Sequence, residues 1–290
     1  MEQTPQSLQE LCERFVTWAE SHPDIRSAMV VGSQARTDRP ADEWSDLDLV
    51  IVATDPDRYL DTADWLEQLG TPWVTFVEGT IARTRERRAL FAGALDVDFN
   101  FFTPEQFQQV FRDGALAPTV LHRGARVLLD KEEIIPSLSP PSAEAPAVGP
   151  PDEAEFLAIV DEFWYRAVWT AKKLRRGELY IAILNCDGVM KRLLREMLER
   201  HARAIHGWQY DTWHDGRFLE RWTDPRALAA LRAAYAHYDA DDIRRALLAT
   251  MDLFRWVSRE TAERLGFSYP AMAEERAVEW VQNCLSEGPR

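Results

Sequence analysis

The sequence has little of several things, and each shortage excludes a class of protein. It holds three cysteines, Cys12, Cys186 and Cys284, widely spaced and without a CxxC pair. No disulfide framework and no cysteine-based zinc site follow from that pattern, and free thiols in a reducing cytoplasm are expected. No uninterrupted apolar run of membrane-spanning length occurs. The first residues, MEQTPQSLQELCERF, lack the basic start and apolar stretch of a secretory signal. Positive charge is in deficit, with 34 Lys and Arg against 48 Asp and Glu and a net charge of −14. Such a surface does not grip nucleic acid non-specifically, but it admits a cationic small molecule.

What is present divides the 290 residues in two. IPSLSPPSAEAPAVGPPDE, from Ile135, is rich in Pro, Ser and Ala and reads as an extended connector. The expected organisation is a domain over 1–135, a Pro-rich linker over 136–151 and a helical domain over 152–290. Before the linker, Leu8, Leu11, Phe15 and Trp18 recur at helical spacing. IRSAMVV and DLDLVIV read as strands, and PDRYLDTADWLEQLG as one helix between Pro56 and Gly70. PWVTFV is a further strand. RALFAGALDVDFNFF reads as two strands joined near Gly93, and TPEQFQQVFRDG as a helix capped by Thr103. After the linker, Asp152 and Glu155 form a carboxylate capping box opening a helix that stops at Gly177. A second helix runs from Glu178 to Ile205. A third is expected from Asp224-Pro225 to Tyr238, a fourth from Asp241 or Asp242 to Gly266, and AMAEERAVEWVQNCL closes the bundle. The fold class is therefore α+β: a mixed-sheet domain followed by a helical bundle.

The chemistry concentrates in VVGSQARTDRPADEWSDLDLVIV. Strand alternation points Asp46 and Asp48 the same way while Leu47, Leu49 and Ile51 face the core. Paired carboxylates repel unless a cation lies between them, and Mg²⁺ prefers such oxygen ligands and shares them with phosphates. Gly32-Ser33, ending the preceding strand, lets a polyphosphate approach backbone N–H groups and a hydroxyl. No GK[ST] follows, so this is not a Walker motif. Asp98, with Asp96 on its face, supplies the third acid of a two-metal site suited to in-line displacement.

These motifs resemble the nucleotidyltransferase superfamily that includes DNA polymerase β: GS, then D-x-D, then one Asp on a later strand. More narrowly, the chain is similar to aminoglycoside 6-adenylyltransferases, the streptomycin-modifying enzymes. The likeness covers VVGSQARTDRPADEWSDLDLVIVATDP, DVDFNFFTPEQF, DEFWYRAVWTAKKLRRGELYIAI and WHDGRFLERWTDP. It implies a nucleotidyltransferase-fold first domain and transfer of AMP from ATP to a hydroxyl of a streptomycin-like aminoglycoside. Pyrophosphate leaves, and antibiotic resistance results. Asp46 and Asp48 would hold two Mg²⁺ ions and Asp98 the ion beside the acceptor hydroxyl, with Gly32, Ser33, Gln34 and Arg36 toward the nucleotide. One departure stands out: Gln34 occupies the position where many such enzymes have Arg directly after Gly-Ser, and Arg36 is the neighbouring cation.

The general base stays open between Asp98 and acids of the helical domain. Asp161, Glu162, Trp164 and Asp187 are the candidates for contact with a cationic acceptor, against the plainer reading of salt bridges and core. Trp169, Trp208, Trp213 and Trp222 read mainly as core, and His206 and His214 as structural. RTRERR, Arg83 to Arg88, reads as a surface turn, with a phosphate-facing loop as the alternative. The partners expected are a nucleotide triphosphate and a cationic acceptor, without nucleic acid or membrane, in a cytoplasmic monomer or weak homodimer. Other readings are nucleotidylation of another small molecule or a protein, and a non-catalytic nucleotide-binding module.

Overall fold

The computed structural model describes residues 7–36, 41–80, 84–112, 124–135, 149–213 and 215–286. The chain divides into two compact units, 1–146 and 147–290. Residues 136–148 of the expected linker, together with Arg83 and His214, lie outside the described residues.

The first unit opens with α1 (Leu8–Ser21), capped by Ser7, whose hydroxyl accepts from Glu10 N at 3.2 Å. Its stripe of Leu11, Phe15 and Trp18 is buried. The elements that follow are β1 (Ile25–Val31), β2 (Leu47–Ala53), α2 (Pro56–Asp61), β3 (Pro72–Gly79), β4 (Arg85–Phe91), β5 (Leu95–Phe102), α3 (Pro104–Arg112) and β6 (Arg126–Asp130). The strands form one sheet in the order β3-β4-β5-β2-β1-β6, with β2 and β5 parallel and the other neighbours antiparallel. The expected α+β organisation is observed.

The central strands read as near-continuous apolar runs because both sheet faces are covered. On one face Leu49, Ile51, Phe99 and Phe101 pack with Phe15, Trp18, Tyr59 and Trp65. On the other, Met29, Val31, Val50, Val52 and Phe102 pack with Phe107 of α3. Thr103 caps α3 as expected: its hydroxyl accepts from Gln106 N, and Gln106 Oε1 accepts from Thr103 N.

Several local expectations are corrected in this structure. The stretch from Pro56 to Gly70 is not one helix. It breaks at Thr62, whose backbone is extended, and resumes as a 3₁₀ turn over Asp64–Gln68. The carbonyls a continuing helix would use are taken by side chains. Arg87, buried on β4, donates to Tyr59 O at 3.0 Å and to Leu60 O, and Trp65 Nε1 donates to Tyr59 O and Thr62 O. The run Arg85–Arg88 is strand rather than turn, paired residue by residue with β3 and β5. Strand β6, absent from the expectations, extends the sheet beside β1. In the helical unit, the helix expected to reach Tyr238 stops at Leu231, because Arg245 captures the carbonyls of Ala233 and Tyr235.

The second unit comprises α4 (Glu153–Arg175), α5 (Leu179–Leu184), α6 (Met190–His206), α7 (Leu219–Trp222), α8 (Pro225–Leu231), α9 (Ala240–Leu265) and α10 (Ala271–Ser286). Asp152 and Glu155 make the reciprocal capping box at α4. Asp239, rather than Asp241 or Asp242, caps α9 by accepting from both of their N–H groups. Helices α5 and α6 are joined by a π turn, Asn185–Val189. The buried Lys191 ammonium supports that turn, donating to Cys186 O at 3.1 Å and to Thr250 Oγ1 at 2.8 Å. Phe163 and Phe254 stack at the centre of the bundle. Glu274, 2% exposed, joins α10 to α9 through Arg255 and Arg259. Among the described residues no helix is long and apolar enough to cross a membrane.

Candidate active site

The parallel pairing of β2 with β5 puts Asp48 directly beside Asp98. In-register neighbours share a face, so both carboxylates leave the sheet on one side. Asp46, immediately before β2, joins them, and the three carboxylates offer oxygens within 4.8 Å of one another. Asp98 is nearly buried and the other two are half-buried. Burial pushes the Asp98 carboxyl above its usual range; the hydrogen bond and charge of Arg88 pull back down, while Asp96 and Asp46 add to the rise.

The turn after β1 closes over this cluster. Val31 pairs with Asp48, so Gly32 arrives at the Asp48 side chain. Its φ is +70°, and a Cβ there would stand 2.1 Å from Asp48 Oδ2. Only glycine meets both conditions. Residues Gly32–Ala35 form a 3₁₀ turn, and Ser33 Oγ donates to Asp46 O at 3.4 Å. Gln34 rides on this turn and Arg36 follows it in extended backbone. Gly124, at φ +124°, passes so close that a Cβ would be 2.3 Å from Ala35 O.

Residues that sequence reasoning did not assign complete the surroundings. Arg88 Nε lies 2.7 Å from Asp98 Oδ1 and its Nη1 lies 3.3 Å from Glu78 Oε1. A signal for this pair was present: Arg88 and Asp98 are equidistant from Gly93, about which β4 and β5 fold back on each other. Two pairs further along, Asn100 donates to Glu86, whose carboxyl burial pushes up, with the Asp98 charge adding to it.

The helical candidates divide by engagement. Trp164 is 3% exposed, set edge-on to Phe163 and Phe254, with Nε1 donating to Tyr269 Oη at 3.2 Å. Glu162 pairs with Arg166 at 3.1 Å and Arg192 at 3.7 Å. Asp187, on the π turn, accepts from Ala236 N at 3.1 Å and pairs with Lys191 at 3.3 Å. Asp161 is exposed on α4. Trp222 is core, and Trp169, Trp208 and Trp213 are partly buried.

Three convergent carboxylates offer only hard oxygen donors, which fit a divalent cation of the Mg²⁺ type, and the Gly32–Ala35 turn brings backbone beside them. Enzymes that displace in line at phosphorus, the nucleotidyltransferases among them, use donor sets of this kind. The chain belongs to the Streptomycin adenylyltransferase family, whose model matches residues 6–284. It is 24% identical over 277 residues to an aminoglycoside 6-adenylyltransferase of Bacillus subtilis (strain 168), covering 91% of this chain and 93% of that protein. It is also 24% identical over 279 residues to an aminoglycoside 6-adenylyltransferase of Campylobacter jejuni, covering 93% of each. The crystal structure of an aminoglycoside 6-adenyltransferase from Bacillus subtilis aligns with a TM-score of 0.46 at 18% identity, over 98% of this chain and 100% of that one. Membership of an adenylyltransferase family implies a nucleotide substrate.

Proposed function

We propose that this enzyme transfers AMP from ATP to a hydroxyl of a streptomycin-like aminoglycoside, releasing pyrophosphate and conferring resistance. The observation that carries the reading is the convergence of Asp46, Asp48 and Asp98 beside the Gly32-Ser33 turn, in a chain whose family match runs over nearly its whole length. Asp46 and Asp48 would hold two Mg²⁺ ions, and Asp98 would share the one nearest the acceptor. Bound there, the ions neutralise the triphosphate and lower the pKa of the attacking hydroxyl.

The chain's own residues supply position and charge. The Gly32–Ala35 turn presents backbone N–H groups and the Ser33 hydroxyl to the leaving pyrophosphate. Gln34 and Arg36 stand at its far end, with Arg36 the charged contact for phosphate. The acceptor oxygen attacks from the side opposite the pyrophosphate, next to Asp98, our candidate to take its proton. The acidic balance of the chain, −14 overall, suits a polycationic acceptor held near the triad.

The test is pyrophosphate release with Mg-ATP and a panel of aminoglycosides. Release with streptomycin supports the proposal. Silence across the panel, together with labelling of the protein itself or of another protein, overturns the acceptor assignment. ATP binding without any turnover overturns the catalytic one.

A further inference from the structure

One row of the sheet carries three charges in register. Arg88 on β4 pairs across the antiparallel ladder with Asp98 on β5, and Asp98 pairs in parallel with Asp48 on β2. The row reads guanidinium, carboxylate, carboxylate. Nε of Arg88 meets Asp98 Oδ1 at 2.7 Å, a charge-assisted bond that sets which way the Asp98 carboxylate turns. Glu78 holds the other end of the guanidinium at 3.3 Å. Any cation that binds the triad draws on the same Asp98 carboxylate as Arg88. Like charges that close, in a half-buried setting, oppose each other's occupancy.

We propose that Arg88 is a positioning residue that acts through Asp98. It aims that carboxylate into the triad, and its charge holds down the triad's affinity for a divalent cation until a triphosphate adds its own negative charge. The proposal rests on reading Asp46, Asp48 and Asp98 as the cation ligands of adenylyl transfer. Glu78 anchors the guanidinium at the rim, so that it stays beside the site when Asp98 turns to a cation. The free enzyme then binds divalent cations weakly, and nucleotide and cation strengthen each other's binding by the same factor.

Mn²⁺ is the probe, titrated by electron paramagnetic resonance with and without a non-hydrolysable ATP analogue. Without nucleotide, Arg88→Met is expected to bind Mn²⁺ on the order of tenfold more tightly than the wild type. The gain from the analogue shrinks accordingly. Arg88→Lys keeps the charge and stays within about twofold of the wild type, since charge rather than shape sets the repulsion. Arg88→Met combined with Asp98→Asn loses the tighter binding, because the carboxylate through which Arg88 acts is gone. In turnover, Arg88→Met lowers kcat and leaves the acceptor KM near the wild-type value. Arg88→Gln repeats the titration should Arg88→Met lower the melting temperature. Unchanged or weaker Mn²⁺ binding in both neutral variants overturns the proposal, as does equal tightening in Arg88→Lys. Wild-type protein that takes no Mn²⁺ even with the analogue overturns the triad reading itself, so the two failures are distinct.

Discussion

Gly32 and Asp48 occupy adjoining space that leaves no room for a methyl group between them: a Cβ on residue 32 would stand 2.1 Å from Asp48 Oδ2. Because φ at Gly32 is +70°, the backbone penalises any other residue as well. Gly32→Ala is expected to push the Asp48 carboxylate out of line. Turnover should fall about a hundredfold, the usual result of a misplacement near 1 Å. The sheet itself should survive, so pyrophosphate assays and a thermal melt on the same preparation separate the two effects.

Asp48→Asn should abolish turnover and leave the melting temperature unchanged or slightly higher. Removing one of three crowded carboxylates relieves their repulsion while removing a shared ligand. Near-normal activity in this variant would remove the assignment of the triad.

Arg87 is a stability residue next door to a site residue. It is 5% exposed, and its guanidinium serves the Tyr59 and Leu60 carbonyls and the Thr75 hydroxyl. Arg87→Met leaves those acceptors buried and unmatched, a loss of about 2–3 kcal/mol. Urea unfolding should show a lower midpoint with an unchanged slope, and the folded fraction should retain activity.

The three thiols should react in a fixed order. Cys186 is fully buried, and burial pushes its thiol up to about 11. At pH 8 roughly one thiol in a thousand is then ionised, before access is considered. Burial also raises Cys12, whereas Cys284 is only half-buried. A disulfide-exchange reagent at pH 8 should therefore label Cys284 first and reach Cys186 only on unfolding. Early labelling of Cys186 would contradict its packing.

The convergence of the three acids was legible because its signals are local. Alternation in DLDLVIV, the glycine that ends IRSAMVV and the repeat of acids in DVDFNFF each lie within a few residues. What could not be read is what the tertiary structure decides. That β5 inserts between β4 and β2 depends on pairing between segments fifty residues apart. The break after α2 depends on Arg87 reaching from another strand, and the early stop of α8 on Arg245 reaching from another helix. The π turn depends on an ammonium five residues on that satisfies Cys186 O. At the two helix ends a side chain distant in sequence outbids the local backbone pattern. Arg88 lies between these extremes. Its partner follows from counting outward from Gly93, but only once the hairpin register is known.

The parallel pairing of Asp48 with Asp98 has a consequence for how the enzyme comes into being. A nascent chain that has emerged only through β4 carries two of the three acids and no third. The triad is complete only when β5 takes its place between β4 and β2, a pairing of segments far apart in sequence. A metal-nucleotide complex bound at the triad would favour the completed sheet by mass action, so that ligand and β5 would stabilise each other.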